Sequence, residues 1–498
     1  MPPSAALDSS PHCRPSPDGR FVATLRHSEL VVRSTETLQV TNAVRLSSGS
    51  GSGSPTASSA TGSSTSLLPL LWAPSSSKIL IRSADQLDVF GALHHPEFHA
   101  TVRNYTSLTG GKPSLIYFGA RDTELLIWSA SGLKLVVVDV CGSGVVEIAS
   151  PKFHQATSAS RGLSVRPETG HLALLARSGG RDIVSLHHPV DRQVLRSWFP
   201  ETLDAQGISW TPDGKWLLLW ESAVHGHRIL VHTSDGQHFR TITASNLLKG
   251  PDAELELGIR VCQSSPNAEV FPKDTLQVWQ EKISMESSQA RARHTFLKAT
   301  QVLSPPGPAA DTQSAAEVRA GCSMAAFDAS STLLATRLDD SPCTLWIWDI
   351  VAAELRAVLI FHSIVTFQWH AKIRELLLIT SQDPAQHGVS FIWDPLSDGP
   401  TPLVPEDHLP GGRAVGKAQV AWINHETEAP VLFVSDAEHY LLLSPSNDGG
   451  RDSNPWQAAA VDYSGSEMAL DSPTSACYAM DDGDGASVVD DTFSFRHA

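Results

Sequence analysis

The sequence has no cluster of basic residues and no long apolar run. Its 498 residues carry 53 acidic and 37 basic side chains, a formal net charge of −16. A nucleic-acid-binding surface needs a basic face, so this balance argues against nucleic acid as a partner. The longest apolar runs, such as Trp216–Trp220 and Leu441–Leu443, are far shorter than the ~20 residues that cross a bilayer. Because the N-terminal residues also lack the apolar stretch of a signal peptide, we expect a soluble, intracellular protein with no membrane partner.

Cysteine is scarce, and no two cysteines form a Cys-x-x-Cys pair. This spacing favours scattered reduced thiols over a disulfide framework or a zinc site. The six residues are Cys13, Cys141, Cys262, Cys322, Cys343 and Cys477.

The sequence motifs of catalysis are also missing. There is no Gly-x-Ser-x-Gly elbow, phosphate-binding loop or His-Glu-x-x-His helix. Histidines are densest at 94–99 and 225–232, in predicted inter-strand loops, whereas zinc needs three or four ligands on a rigid frame. We therefore predict no catalytic residue, no metal site, no cofactor and no small-molecule substrate. The residues that bind protein partners stay unknown at this point, because one sequence does not rank the loops of a repeat protein.

What the chain does contain is a repeat: an apolar residue, a spacer, an aromatic residue, a short turn and then an apolar run. The aromatic residue, or the residue in its place, recurs along the chain at Pro15, Trp72, Phe118, Val165, Trp210, Phe327, Trp369 and Trp422. Neighbouring copies outside two irregular segments lie 42 to 53 residues apart. Periods of ~40–50 residues built from short Val/Ile/Leu/Trp runs between Gly, Pro, Asp and Ser are typical of propeller blades.

Each copy can be divided into the four strands of a blade. The aromatic residue closes the first strand, and a turn such as Pro212-Asp213-Gly214 leads into a buried second strand. The third strand ends in an aromatic-Asp pair at Trp348-Asp349 and at Trp393-Asp394, which is the signature dipeptide of WD repeats. The Gly-His half of that signature is missing. The sequence thus predicts an all-β, divergent WD-repeat-like β-propeller.

The tryptophans come in pairs that share a strand face, Trp346 with Trp348 and Trp216 with Trp220. Since both faces of a blade are covered by its neighbours, packing between blades explains these pairs better than a ligand cage.

The domain boundaries follow from where the repeat begins and ends. We predict a propeller of about eight recognisable blades over residues 12–443, with a low-complexity loop at 47–66. Residues 261–320 are irregular and contain a damaged blade. Residues 444–498, with ten acidic side chains and two arginines, form a predicted acidic, disordered tail.

The damaged segment leaves three arrangements open. The ring closes with fewer blades, or it recruits residues 275–281 as a partial blade, or it stays open. We favour a closed ring of about eight blades. Whether a blade is missing from the protein or from the gene model is not decided by the sequence.

The ordered segments of the chain resemble a small WD-repeat family of centrosomes and fungal spindle pole bodies. They are Ser16–Ala23, Leu30–Arg33, Thr37–Gln39, Asp182–Ser185, Gly207–Gly214, Ser234–Gly236, Leu334–Arg337, Trp346–Ile350 and Phe367–Trp369. The family pattern places one further complete blade after Leu257–Arg260, which this chain lacks.

That resemblance implies a non-catalytic scaffold at the spindle pole body or centrosome, in the cytoplasm and its cytoskeleton. Its implied partners are a coiled-coil spindle-pole anchoring protein and a minus-end-directed kinesin, and its implied role is microtubule minus-end anchoring and mitotic spindle organisation. The repeat alone also allows a WD-repeat scaffold in another assembly, such as translation initiation or a ubiquitin ligase. An enzyme built on a propeller is the third class, and no catalytic motif favours it.

Overall fold

The chain divides into two units, Met1–Ala459 and Ala460–Ala498, and every described residue belongs to the first. The computed structural model describes residues 3–26, 29–46, 69–83, 86–94, 97–142, 144–149, 162–221, 228–242, 259–261, 268–270, 276–286, 291–299, 306, 322–339, 341–352, 354–382, 389–412, 414–415, 417–424 and 430–444. The predicted low-complexity loop at 47–66, the predicted tail beyond residue 444 and much of the segment 261–320 lie outside these residues.

The short apolar runs form four-stranded antiparallel blades, because each central strand is covered on both faces by neighbouring blades. The strands of blades 1 to 4 are β2 (Cys13–Pro15), β3 (Phe21–Arg26), β4 (Glu29–Ser34), β5 (Val40–Arg45); β6 (Leu70–Trp72), β7 (Lys78–Arg82), β8 (Gln86–Gly91), β9 (His99–Arg103); β10 (Leu115–Phe118), β11 (Glu124–Trp128), β12 (Lys134–Asp139), β13 (Val145–Ala149); β14 (Leu163–Val165), β15 (Leu172–Ser178), β16 (Arg181–His187) and β17 (Val194–Trp198).

Blades 5 to 8 continue the pattern. Their strands are β18 (Ala205–Trp210), β19 (Trp216–Glu221), β20 (Ile229–Thr233), β21 (His238–Ile242); β26 (Cys322–Phe327), β27 (Leu333–Leu338), β28 (Thr344–Asp349), β29 (Glu354–Ile360); β30 (Val365–Trp369), β31 (Leu377–Ser381), β32 (Ser390–Trp393), β33 (Thr401–Leu403); β34 (Gln419–Ile423), β35 (Val431–Ser435), β36 (His439–Leu443) and β1 (Leu7–Asp8). Helical structure in the described residues includes α1 (Tyr105–Thr109) and 3-10 turns at Pro405–Asp407 and Pro410–Gly412.

The predicted fold class is confirmed: the protein is an all-β propeller with eight four-stranded blades. All eight copies of the sequence repeat fall on the first strand of a blade. The Pro-Asp-Gly turn forms as expected, since Gly214 has a φ of +65° that favours glycine. The predicted third strands, which end at Asp349 and Trp393, are β28 and β32.

Ring closure uses the N-terminus. The last repeat supplies only β34, β35 and β36, and β1 completes this blade by pairing antiparallel with β36, Leu7 opposite Tyr440. The propeller therefore also includes residues upstream of 12, where the sequence places its beginning. Because strands from both ends of the repeat array share one blade, the ring lacks the open edge that a linear array of blades would leave.

The irregular segment adds strands to the ring without forming a ninth blade. Blades 5 and 6 touch directly, since the backbone N–H of Asp213 donates to Ser331 Oγ at 3.1 Å. Two further strands, β24 (Gln277–Glu286) and β25 (Arg291–Lys298), form a hairpin whose first strand pairs in parallel with β29. Upstream, β22 (Ile259–Val261) pairs with β23 (Ala268–Val270) in a separate two-stranded sheet. The closed ring of about eight blades, which the sequence favoured, is observed. Residues 277–281 of the predicted partial blade also join the ring, as part of β24 on the outer edge of blade 6.

Candidate interaction surfaces

The first strands form the inner wall of the ring, and the repeat's aromatic residue links them. The indole N–H of Trp72 donates to the Arg14 carbonyl of the preceding blade at 3.0 Å. Trp369 reaches the Ala326 carbonyl at 2.9 Å in the same way, and Trp422 reaches that of Gln368 at 3.2 Å. In each case the acceptor is the residue just before the aromatic position of the preceding blade. The aromatic residue of the repeat is thus a linker between blades.

The turns that follow the first strands form a second set of links on one face of the ring. Blade 1 joins blade 2 through the N–H of Asp18 and Ser76 Oγ at 3.0 Å. Arg166 of blade 4 donates from Nε to the Gly214 carbonyl of blade 5 at 2.8 Å, and Asn424 of blade 8 donates to the Pro17 carbonyl of blade 1 at 2.9 Å. Neighbouring turns are therefore tied together around most of the ring.

The seam between blades 3 and 4 has neither of these two kinds of link within the described residues. Within the described part of the chain, no hydrogen bond joins the first-strand turn of blade 3 to that of blade 4. Val165 stands in blade 4 where four other blades have tryptophan. This seam therefore lacks both the volume and the N–H donor of an indole side chain. A cleft of about 760 Å³ opens there, with walls that include Tyr117, Phe118 and Leu163. We call it the seam cleft; its volume lies within the ~300–1,000 Å³ of ordinary ligand sites.

A buried ion pair holds one wall of the seam cleft in place. Glu124 of β11 and Arg192, in the turn between β16 and β17, have side chains that are each 1% exposed. Arg192 Nε donates to Glu124 Oε1 at 2.7 Å, and its Nη1 reaches the carbonyl of Gly170, a cleft residue, at 3.3 Å. The other carboxylate oxygen accepts from the N–H of Ala120 at 3.0 Å. Since a buried charge is costly without its partners, these contacts fix blade 3 against blade 4.

The mouth of the seam cleft is locally basic although the chain is acidic overall. Arg121 and Arg166 line it, with Glu168 as the carboxylate among the lining residues. Arg121 is exposed, and Arg166 lies over the Trp210 ring at 5.2 Å. The cleft thus offers apolar walls beneath two guanidinium groups.

A second cavity, of about 230 Å³, lies among the first strands of blades 1, 2, 7 and 8. Pro15 stands at the aromatic position here, so blade 1 also leaves space beside its neighbours. This volume is below the range of ordinary ligand sites.

The outer strand of blade 4 carries exposed apolar side chains. Val194 and Leu195 of β17 are 57% and 56% exposed, and Phe199 and Leu203 in the following loop are 56% and 65% exposed. The last strand of a blade is an edge with unpaired backbone groups, which natural proteins usually cover or charge. Blade 4 therefore presents an apolar outer edge as well as one wall of the seam cleft, two features that mark contact surfaces.

Blade 6 shows the opposite treatment of its edge. The β24–β25 hairpin covers β29 and packs on blade 7, where the Phe296 ring lies 5.4 Å from that of Phe391. Glu281 of the hairpin accepts from His294 Nδ1 at 2.5 Å, both side chains being 3% exposed, and from the N–H of His362 at 2.8 Å. The segment from which the sequence predicted a damaged blade thus supplies a cover for an outer edge.

The histidine clusters are partly on strands, which corrects their predicted position in loops. His99 lies on β9, stacked on Phe90 at 4.6 Å and 3.2 Å from Asp88 Oδ1. His232 is buried on β20, and burial lowers its pKa to about 4, with the nearby charge of His238 adding to the effect. His95, His225 and His227 lie outside the described residues. No group of three or more His, Cys, Asp or Glu side chains placed to hold a metal occurs in the described ranges.

The cysteines and paired tryptophans also have assigned places. None of Cys13, Cys141, Cys322 and Cys343 forms a disulfide, and burial raises the pKa of Cys13 to about 11. The other two cysteines are not among the described residues. Trp346 and Trp348 pack in the core between blades 5 and 6, which confirms the prediction of inter-blade packing. No helix among the residues that the structure describes is long and apolar enough to cross a membrane.

Two features of the site escaped the sequence reasoning. The Glu124–Arg192 pair joins residues 68 positions apart, and its one signal was a carboxylate directly before the apolar run Leu125–Trp128. The cleft had a clearer signal: valine at an aromatic position of the repeat. A small residue at this position indicates a space between blades 3 and 4.

The chain is similar in sequence to WD repeat-containing proteins. No protein-family model matches the chain. The chain is 25% identical over 434 residues to the WD repeat-containing protein WRAP73 of Mus musculus, covering 77% of this chain and 84% of that protein. It is 22% identical over 413 residues to an uncharacterised WD repeat-containing protein of Schizosaccharomyces pombe, covering 74% and 75% of the two chains.

Among solved structures, the β-propeller domain of Cps50 (Swd1) from Myceliophteria thermophila aligns with a TM-score of 0.39 and 13% identity, over 79% of this chain and 99% of that one. Along about three quarters of its length, the chain is similar in sequence to WD repeat-containing proteins, and its fold is a WD-repeat-like propeller.

Proposed function

We propose that the chain is a non-catalytic protein-interaction scaffold of the spindle pole body or centrosome. The observation that carries the scaffold role is blade 4, which combines an apolar outer edge with a cleft whose mouth is basic. The similarity to WD repeat-containing proteins supports protein partners in general. The spindle-pole assignment rests on the ordered sequence resemblance described above.

In this role the propeller binds a coiled-coil spindle-pole protein and acts with a minus-end-directed kinesin to anchor microtubule minus ends and organise the mitotic spindle. It works in the cytoplasm, at the microtubule-organising centre. Its surfaces bind and position other proteins, with no cofactor and no substrate of its own.

Affinity capture of the tagged full chain from mitotic cells tests the assignment. We expect a coiled-coil spindle-pole protein among the captured partners, and the tagged chain at spindle poles in fixed cells. Capture of ribosomal subunits or ubiquitin-ligase components, with no signal at the poles, would replace this proposal with the other scaffold assemblies. An untagged strain and an unrelated tagged propeller are the controls for capture and for imaging.

A further inference from the structure

The seam cleft has the features of a built site for one large side chain. Tryptophan occupies the aromatic position in blades 2, 5, 7 and 8, and in three of these its indole donates to the preceding blade. Blade 4 has Val165 there, half-buried at the cleft. The carbonyl that corresponds to the acceptors of the other seams is that of Tyr117, a cleft residue. The seam therefore leaves space, apolar walls and an acceptor position where its neighbours have an indole.

The cleft is fixed before any partner arrives. The Glu124–Arg192 pair, with its bond to the Gly170 carbonyl, holds the turns of blades 3 and 4 at one spacing. Phe118 and Leu163 are buried strand residues with 6% and 5% exposure. A preformed site avoids most of the ordering cost of binding, so a short segment can bind with useful affinity.

The positive charge at the cleft mouth favours acidic residues beside the side chain that enters the cleft. Arg121 is exposed at the mouth of the seam cleft. Arg166 uses Nε for the Gly214 carbonyl, and its guanidinium is next to the Trp210 ring. A carboxylate beside the incoming aromatic would meet Arg121 in a charge-assisted hydrogen bond, whereas a basic flank would be repelled.

We infer that the seam cleft binds a short segment of a partner protein in which a tryptophan side chain is flanked by acidic residues. The indole enters the space beside Val165, against Tyr117 and Leu163, which share one apolar cluster with it, and the adjacent carboxylate pairs with Arg121. Buried tryptophan and arginine are the side chains that most often dominate binding energy at protein interfaces. This inference does not depend on the spindle-pole assignment, because it concerns the ligand of one cleft whatever the assembly.

Selection from a random dodecapeptide phage library on the purified full chain provides the test. We expect enriched peptides that carry Trp next to Asp or Glu. Synthetic, fluorescein-labelled versions of these peptides, measured by fluorescence anisotropy, are the probes. Replacing their Trp by Ala should weaken binding by at least about tenfold, since it removes the anchor.

Two variants of the chain locate the binding. Val165→Trp fills the cleft with the side chain that other blades carry and should abolish binding of the selected peptides. Arg121→Glu reverses the charge at the mouth and should weaken binding about tenfold or more without lowering the thermal midpoint. Lys372→Glu is the matched control, because Lys372 is the exposed residue at the same position of the repeat in blade 7. It should bind as the wild type does.

The outcomes are distinct. Enrichment of peptides without the Trp-acidic pattern, no enrichment at all, or equal binding to the wild type and Arg121→Glu would overturn the inference. If Val165→Trp does not fold, as judged by circular dichroism, the comparison of Arg121→Glu with Lys372→Glu decides the question alone.

Discussion

Trp348 packs in the core between blades 5 and 6. It is 5% exposed in a core that includes Leu218 and Trp220 of blade 5, and its indole donates to Thr336 Oγ1 at 3.0 Å. We expect Trp348→Ala to lower the free energy of unfolding by about 3–5 kcal/mol, since it leaves a large cavity. Trp348→Phe should cost less, because it keeps most of the apolar volume and loses the hydrogen bond.

Urea denaturation followed by circular dichroism measures both variants of Trp348. The control is Val351→Ala, a truncation in the same blade at a residue that is 74% exposed. A Trp348→Ala protein as stable as this control would show that the inter-blade core does not depend on the indole.

His232 makes stability depend on pH. Burial lowers its pKa from 6.5 to about 4, with a further effect of His238, and its Nδ1 is buried with no hydrogen-bond partner. Because the unfolded chain binds this proton more readily than the folded chain, the free energy of unfolding has its full value above pH 6.5 and decreases as the pH falls toward 4. This one residue accounts for up to about 2 kcal/mol at pH 5.

The His232→Phe variant isolates that effect. We expect its free energy of unfolding to fall less than that of the wild type between pH 6.5 and 4.5, while both proteins keep a constant difference from pH 7 to 8. Parallel curves through the acidic range would show that His232 is protonated equally in the folded and unfolded chains.

Among the elements, the β24–β25 hairpin sets blade 6 apart from its neighbours. Its β24 pairs with Ala357–Ile360 of β29, so this outer strand is bonded on both sides, whereas β17 of blade 4 pairs only with β16. The backbone hydrogen bonds of a strand paired on both sides open less often, and this slows hydrogen exchange of its amides. Hydrogen exchange should therefore be slower at 357–360 than at 194–198.

Trp279 anchors the hairpin, and its loss should reduce the difference in exchange rate between 357–360 and 194–198. It is 8% exposed and packs so closely on Gly399 that a β-carbon there would lie 2.9 Å from the ring. We expect Trp279→Ala to raise the exchange rate at 357–360 about tenfold, through loss of roughly 1.4 kcal/mol or more of local stability. Leu297→Ala, on the outer strand of the hairpin and 55% exposed, is the control that should leave exchange unchanged.

The elements that sequence could predict are those whose residues lie close together in the chain. Strand, turn and apolar run recur within one period, so the eight first strands and the turn at Gly214 were predictable. The pairing of β24 with β29 joins Gln277 to Ala357 across 80 positions, and no local pattern encodes such a contact. The Glu124–Arg192 pair was hidden for the same reason, since each member has the sequence context of an ordinary strand or turn residue.

For the whole molecule, the least local contact is the closure of the ring. The last repeat contains three strands after Val415, which implies that a fourth must come from elsewhere. Its source, Leu7–Asp8, lies more than 400 positions away in a polar N-terminal segment with no apolar run. The missing fourth strand of the last repeat is the sequence signal for this closure, and a count of the repeats alone does not contain it.

Ring closure should contribute measurably to the stability of the entire propeller. Besides the β1–β36 pairing, the N–H of Ser9 donates to the Glu438 carbonyl at 2.7 Å and that of Ser4 to the Leu442 carbonyl at 2.9 Å. A chain that begins at residue 10 loses these bonds and uncovers β36, where Tyr440 and Leu441 are each 1% exposed. At about 1 kcal/mol for each of at least three hydrogen bonds, we expect a loss of about 3 kcal/mol or more, with a lower thermal midpoint and faster aggregation. Differential scanning calorimetry with light scattering checks this against a control that begins at residue 3 and keeps every one of these contacts. Equal midpoints for the two shortened chains would mean that the other seams hold the ring closed without the N-terminal strand.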